Sequence, residues 1–290
     1  MLDQILVGAA IGCLYALIAQ GFALTFRTTH TMNFATGEIG AIGAFVAVGL
    51  AGVGWLPAPA KLAVGAVIVA LIGAVVFAVL IRPFVTNDGH DARWLLVTVA
   101  LSLVAVDLLR NSQGTQHRPL GFARLDGVLS LGFARIPRQL ALLAVVCLAL
   151  GIAIALLVTR TGLGVRMRAV AEDAETAGLV GIDARRMGML SYAIGSAAVA
   201  VGATLWTGYV GVFPDIGPLL LVPAFAGAVI GGLISVWGAL AGGVLYGVAE
   251  QLFAHWFGAT AGGVIGLVAV VGVLVLRPEG LFARRVEVKV

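Results

Sequence analysis

The sequence predicts an all-α, polytopic transmembrane helical bundle that forms a single domain over residues 1–290. Of its 290 residues, 61% are hydrophobic and only 11% are charged, and the mean hydropathy is +1.08. Soluble domains carry about 25% charged residues, so this composition excludes a soluble globular protein. Apolar runs of near-membrane length then divide the chain. A segment that crosses a bilayer must satisfy its own backbone hydrogen bonds, so we expect each run to be helical.

The apolar runs predict about eight or nine spans. The seventh and the ninth are short for a hydrocarbon core of about 30 Å, so either is a candidate for a tilted, broken or re-entrant helix. The nine runs cover residues 4–26, 36–54, 61–81, 93–110, 139–158, 188–210, 219–234, 238–255 and 263–277.

The charged stretch from Arg160 to Arg186 sets the orientation. It holds nine of the 32 charged residues, five of them arginines, between the fifth and sixth spans. Short loops rich in Lys and Arg stay cytoplasmic, which predicts an external N-terminus and a cytoplasmic C-terminus. Within the stretch, Ala169 to Ala177 contains neither Gly nor Pro and predicts a short helix, which Gly178 and Gly181 allow the chain to leave. An ordinary solvated loop is the alternative.

A polar interruption from Arg27 to Glu38 separates the first two spans. In one interpretation its polar residues only begin the second helix, with Thr36 accepting from backbone N–H groups and Glu38 placed near the positive helix N-terminus. In the other, the break lines a substrate route, because interrupted helices are tolerated at membrane depth only against protein or a cavity.

Other residues bear on packing and on rival functions. Gly227/Gly231 and Gly238/Gly242 have the four-residue spacing that lets membrane helices pack closely. Asp107 and Glu250 lie near the external ends of their spans, and they are the carboxylates that a proton- or sodium-coupled transporter would use. Residues 111–138 predict an irregular external loop, either a docking face or a plain connector.

Motifs for nucleotide or metal chemistry are missing from the sequence. The two lysines, Lys61 and Lys289, do not follow a Gly-rich loop, and the four histidines show no metal-ligand spacing. There is no H-E-x-x-H, C-x-x-C or G-x-S-x-G pattern. We therefore expect no enzyme activity and no cofactor in this chain. The basic residues cluster at span ends, which disfavours nucleic-acid binding.

Three stretches together resemble the membrane permease of branched-chain amino acid ABC importers. They are MNFATGEIGAIGAF (residues 32–45), RAVAEDAETAGLVGID (168–183) and GGLISVWGALAGGVLYGVAE (231–250), and the closing RPEGLF (277–282) fits the same family. The resemblance implies a permease of the bacterial inner membrane that works by ATP-driven alternating access. Its partners would be the lipid bilayer, a second homologous permease, two cytoplasmic ATP-binding subunits that bind the ATP, and an extracytoplasmic solute-binding protein.

The resemblance also implies roles for two groups of residues. A coupling helix that docks on an ATPase would contain Arg168, Glu172, Asp173, Ala177, Gly178, Leu179 and Gly181. The translocation pathway would pass the helix break at Asn33, Phe34, Thr36, Gly37 and Glu38. Thr36 stands where leucine-type permeases often have His, so urea, short amides and aromatic acids remain alternative substrates.

Overall fold

The structure is a computed structural model that describes residues 1–84, 93–121, 124–130, 134–258, 264, 268, 271–273 and 275. It is almost entirely helical. The elements are α1 (Leu2–Thr29), α2 (Thr36–Ala51), α3 (Ala58–Val75), α4 (Arg93–Gln113), β1 (Val128–Ser130), β2 (Arg135–Pro137), α5 (Arg138–Arg160), α6 (Gly162–Glu172), α7 (Ala174–Leu179), α8 (Ala184–Val210), α9 (Ile216–Gly231) and α10 (Val236–Phe257). The chain continues α3 as a π-helical segment, Val76–Ile81, and a short 3-10 turn, Arg82–Phe84.

Five helices in the described part of the chain are long and apolar enough to cross a membrane. They are Leu2–Thr29, Ala58–Phe84, Arg93–Gln113, Arg138–Arg160 and Ala184–Val210. Helices α2 and α9 are also apolar but have only 16 residues each. Sixteen helical residues extend about 24 Å, less than the hydrocarbon core. The seventh predicted run is thus a short helix, and the second predicted run, 36–54, forms a helix that ends at Ala51. The eight or nine membrane spans stay a prediction. The ninth predicted span, 263–277, lies almost entirely outside the described residues.

Helix α1 is the centre of the bundle and packs against α5, α6, α8, α9 and α10. Gln20, fully buried on α1, donates from its amide nitrogen to the carbonyl oxygens of Gly151 and Val236, each at 3.1 Å. It therefore ties α1 to α5 and to the start of α10. The outer faces of α3 and α4 carry exposed apolar side chains such as Leu71 and Leu103, as a helix in lipid requires.

Close glycine packing between α9 and α10 is confirmed. A Cβ atom at Gly227 would lie 2.7 Å from the Cα of Gly243, and one at Gly231 would overlap the backbone of Gly238. Larger residues would hold the two helices apart. Backbones that approach this closely gain the van der Waals contact that drives helix association in lipid.

In its described part, the region predicted as an irregular external loop contains a pair of short strands. Strands β1 and β2 pair antiparallel with Leu129 opposite Ile136, and Arg118 and Val212 exchange two backbone hydrogen bonds of 2.9 and 2.8 Å. The second contact holds the loop against the segment that leads into α9. Three-residue strands are too short to show a hydrophobic period, which is why the sequence did not reveal them.

The charged stretch forms two helices, so the prediction of one helix over 169–177 was wrong. Helix α6 ends at Glu172, and Asp173 takes an extended conformation with φ −158°. Its side chain caps α7, which ends at Leu179, and Gly181 follows with φ +81°. An Asp side chain that accepts from the next amide groups favours a helix start over a helix interior.

Candidate functional site

The break between α1 and α2 is held by short-range hydrogen bonds. His30 ends α1 in the left-handed conformation, with φ 53°. The Oδ1 atom of Asn33 accepts from the amide of Ala35 at 3.1 Å, and the Thr36 hydroxyl donates to the Asn33 carbonyl oxygen at 2.5 Å. Thr36 therefore does not accept from the first helical N–H groups, which corrects the capping interpretation. Helix α2 begins without a side-chain cap.

Helix α2 begins beside the interior of α8. Asn33 and Thr36 line a cavity of about 10 Å³ together with Tyr192 and Ser196, which lie near the middle of α8. A space of that size holds about one water molecule. The Thr31 hydroxyl is 2.8 Å from the Tyr192 hydroxyl and 2.6 Å from that of Thr29. The break is consequently buried and closed in this conformation.

The N-termini of the two short helices meet at a pair of glycines. Gly37 is the second residue of α2 and Gly217 the second residue of α9. A Cβ atom at Gly37 would overlap the backbone of Gly217, and one at Gly217 would lie 2.6 Å from the Glu38 nitrogen. The backbones thus touch without intervening side chains. Helix N-termini carry partial positive charge, so two such charges converge here.

Glu38 lies at this junction and is fully buried. Its Oε1 atom accepts from the Ser102 hydroxyl of α4 at 2.7 Å. Its Oε2 atom is also buried and has no hydrogen-bond partner within the described residues. Glu38 therefore joins α2, α4 and α9 and keeps one oxygen available.

Three phenyl rings pack at the same break. The ring centroid of Phe34 lies 6.3 Å from that of Phe22 on α1 and 5.7 Å from that of Phe225 on α9, and the Phe22 and Phe225 centroids are 6.2 Å apart. The helix break and the first turn of α2 thus contain all five residues predicted for the pathway: Asn33, Phe34, Thr36, Gly37 and Glu38. In this segment the Glu38 carboxyl group lies close in sequence to the aromatic cluster.

The residues predicted for coupling lie around the break between α6 and α7 at Asp173. We call this segment, residues 168–181, the hinge. The amides of Glu175 and Thr176 donate to Oδ1 of Asp173 at 2.9 and 3.1 Å, and the Thr176 hydroxyl donates to Oδ2. These donors, the hydroxyl first, hold the pKa of the Asp173 carboxyl below its usual range.

The hinge is anchored to α5 at its start, whereas its other end is exposed. Arg168 anchors α6 by donating to the Val158 carbonyl oxygen at 2.6 Å. Ala177 is buried and packs inward, whereas Gly178 and Gly181 are exposed. Leu179 and Val180 are 85% and 73% exposed. The end of α7 therefore presents apolar side chains to the surroundings.

A direct hydrogen bond connects the hinge with the helix break. The Nε2 atom of His30 is 3.1 Å from the carbonyl oxygen of Ala171 near the end of α6. A cavity of about 650 Å³ adjoins this contact. Its lining includes Thr28, Arg82, Glu172, Asp173 and Arg185. The hinge therefore has free volume on its inner side and one polar contact with the chain that leads to α2.

Four residues of this arrangement were missed from the sequence: His30, Ser102, Tyr192 and Gly217. His30 lies inside the interruption that was recognised, and Gly217 lies in the short connection between the predicted runs 188–210 and 219–234. Ser102 and Tyr192 lie in apolar runs without a distinguishing local pattern. Asp107, the ion-coupling candidate, is exposed and accepts from the Asn111 side-chain amide at 3.1 Å. Glu250 is half-buried on α10. The structure brings neither carboxylate to the helix break.

Short apolar helices that meet end to end inside a bundle of longer apolar helices are typical of membrane transport proteins. Residues 4–276 match the family model described as branched-chain amino acid transport system / permease component. The chain belongs to this family, and with its apolar helices it is a multi-pass protein of the inner membrane.

Named relatives agree with this assignment. The chain is 30% identical to the high-affinity branched-chain amino acid transport system permease protein BraD of Pseudomonas aeruginosa, over 98% of this chain and 96% of that one. It is 29% identical to the corresponding protein LivH of Escherichia coli K12, with the same coverage. These relatives are transport permeases, so the chain is a transport component and not an enzyme.

The backbone also aligns with PsaBC from Streptococcus pneumoniae in complex with Fab, at 11% identity over 94% of this chain and 89% of that one. The TM-score of 0.49 gives that alignment no weight for fold or function.

Proposed function

We propose that this chain is the permease subunit of an ABC importer that moves branched-chain or related small amino acids across the inner membrane by ATP-driven alternating access. The chain acts as one permease domain over residues 1–290. It pairs with a second homologous permease, with two cytoplasmic ATP-binding subunits and with an extracytoplasmic solute-binding protein. ATP is bound by the partner subunits, so this chain needs no cofactor.

The observation that carries the proposal is the contact between hinge and break. A movement of α6 or α7 reaches residues 30–35 through the His30–Ala171 hydrogen bond. Those residues lead directly into Gly37 and Glu38, where α2 meets α9. A movement of the charged stretch, residues 160–186, is therefore transmitted to the junction of α2 and α9. Alternating access requires such a transmission from the ATPase side to the helices that line the pathway.

The outer side of the hinge fits a protein partner. Its end exposes Leu179 and Val180 among charged residues, and a protein partner that covers these two side chains would remove their apolar surface from water. Under the positive-inside rule this surface is cytoplasmic, where an ATPase docks. The N-terminus is then external and the C-terminus cytoplasmic.

The deciding experiment is uptake into proteoliposomes. The complete complex with the solute-binding protein should accumulate radiolabelled leucine only when ATP is present on the ATPase side. Uptake by this chain alone under a proton or sodium gradient would overturn the proposal in favour of a secondary transporter. Competition with urea, short amides and aromatic acids in the same assay tests the alternative substrates.

Coupling is tested at Gly178. A Cβ atom there would meet nothing within 4 Å, and the same holds for Gly162 at the start of α6. Gly178→Arg should therefore leave the chain folded but impair the docked partner, so that ATP hydrolysis continues while leucine uptake falls at least several-fold. Gly162→Arg is the matched control and should transport normally.

Glu172→Ala should uncouple in the same way as Gly178→Arg. Normal uptake by both the Gly178 and Glu172 variants would contradict the coupling role.

A further inference from the structure

At the junction of the short helices, Glu38 combines full burial with an unused oxygen. Its Oε1 atom is paired with Ser102 at 2.7 Å, while Oε2 is enclosed without a partner in the described part of the protein. A buried polar atom without a partner costs free energy unless another group satisfies it. The fold retains this arrangement at the point where α2 and α9 touch.

Two helix N-termini lie next to the carboxyl group. A Cβ atom at Gly217 would lie 2.9 Å from Cδ of Glu38, so the carboxyl group rests on the N-terminus of α9 while its own residue lies in the first turn of α2. Both helix N-termini favour a negative charge at this position. Among the described side chains, the hydrogen-bond partner of Glu38 is a neutral hydroxyl, and Glu38 forms no ion pair.

A cluster of three phenyl rings lies close to Glu38 in the sequence and at the same helix break. Phe34 precedes Glu38 by four residues and packs against Phe22 and Phe225. A ligand that satisfies both features carries a cationic hydrogen-bond donor next to a hydrocarbon group. An α-amino acid with an apolar side chain has this chemistry, whereas urea and simple amides lack the positive charge.

We propose that Glu38 binds the ammonium group of the transported amino acid when α2 and α9 separate at Gly37 and Gly217. In the closed conformation the carboxyl group rests on the N-terminus of α9 and Oε2 is unused. In the open conformation the substrate ammonium donates to Oε2, and the phenyl rings of Phe34 and Phe225 contact the apolar side chain. Glu38 thereby selects for a cationic amine inside the permease itself. This inference rests on the function proposed above.

The test uses the complete transporter in proteoliposomes with ATP and leucine-loaded solute-binding protein. Glu38→Gln retains the shape and loses the charge, so the initial rate of leucine uptake should fall about tenfold or more, as expected for losing a charge-assisted hydrogen bond. Glu38→Asp, which retains the charge, should recover part of that rate. Glu250→Gln, a half-buried glutamate on α10, is the matched control and should transport normally.

A competitor separates recognition from a structural role. 3-Methylbutylammonium presents the cation and the branched chain without a carboxylate, and it should inhibit uptake by the wild-type complex and by Glu38→Asp but much less by Glu38→Gln. Unchanged uptake by Glu38→Gln would overturn the inference. Equal inhibition of the wild type and Glu38→Gln, or no inhibition of the wild type, would overturn it as well. A wild-type complex without ATP-dependent uptake would instead refute the proposed function, so the two failures are distinguishable.

Discussion

Two glycines, Gly37 and Gly217, determine how closely the short helices approach. Gly37→Ala places a methyl group against the Gly217 backbone. Because backbone cannot rotate away as a side chain can, we expect a loss of about 1–3 kcal/mol in stability together with reduced uptake. Thermal unfolding of the purified protein in detergent measures the first effect.

Gly49 provides the control in the same helix. A Cβ atom at Gly49 would meet nothing within 4 Å, and alanine has the higher helix propensity. Gly49→Ala should therefore leave the unfolding temperature unchanged or raise it. Equal unfolding temperatures for the two variants would show that α2 and α9 do not touch in the membrane.

The Asp173 cap predicts a pH dependence at the hinge. Hydrogen bonds from Thr176 and Glu175 lower the pKa of the folded carboxyl below its usual value, so α7 is stabilised at pH values above the unfolded pKa. That stabilisation is lost as the pH falls through the lower, folded pKa. Amide hydrogen exchange at Glu175 and Thr176, corrected for intrinsic rates, should therefore accelerate in acid below the ordinary aspartate range.

Asp173→Ala supplies the comparison for that measurement. Without the carboxylate the two amides should exchange faster already at neutral pH, with no further step on acidification. An acid step that persists in Asp173→Ala would assign the effect to another group.

At the scale of elements, a hydrogen bond from the His30 imidazole links α6 to the break before α2. His30→Asn removes the Nε2 contact with Ala171, and Asn tolerates the left-handed conformation of this position. The variant should fold but transmit less of the hinge movement. We expect fewer leucine molecules transported per ATP hydrolysed, at least several-fold fewer, measured in proteoliposomes.

His255 offers the matched histidine. It is exposed in the last turn of α10, away from the hinge contact, so His255→Asn should retain the wild-type ratio of transport to hydrolysis. A normal ratio in His30→Asn would mean that the push travels by another path, such as the direct packing of α6 against α1 and α8.

At the scale of the whole molecule, the Gln20 side chain connects α1 to α5 and α10 by two buried hydrogen bonds. Gln20→Leu removes two buried hydrogen bonds, to Gly151 and Val236, and leaves both carbonyl oxygens without that donor. With about 0.5–1.5 kcal/mol for each bond, we expect the stability to fall by about 1–3 kcal/mol, measured as a lower unfolding temperature in detergent. Gln251→Leu, at the partly buried contact with Gln4, should have a smaller effect. A larger loss at Gln251 would contradict this central role for α1.

Much of this protein follows from its sequence because hydropathy is a local property. The apolar runs located α1, α5 and α8 to within a few residues. The glycine spacing predicted close helix packing, and the structure showed that α9 and α10 pack against each other. The stretches 32–45, 168–183 and 231–250 together indicated the family, which the match over residues 4–276 then showed. The break at Asp173 also had a local signal, an Asp that can cap a helix followed by Glu175 in the first turn, which the Ala- and Glu-rich composition obscured.

The assembly of the candidate site was decided only by the tertiary structure. His30 and Ala171 are 141 residues apart, and Glu38 and Ser102 are 64 apart. In the sequence, Ser102 looks like an ordinary small residue of an apolar run and Gly217 like an ordinary turn residue. Their importance comes from the carboxyl group or backbone that the fold places against them. Hydropathy determined which segments enter the membrane. Helix packing determined which of their few polar atoms meet, since that depends on contacts between segments that no single stretch of sequence contains.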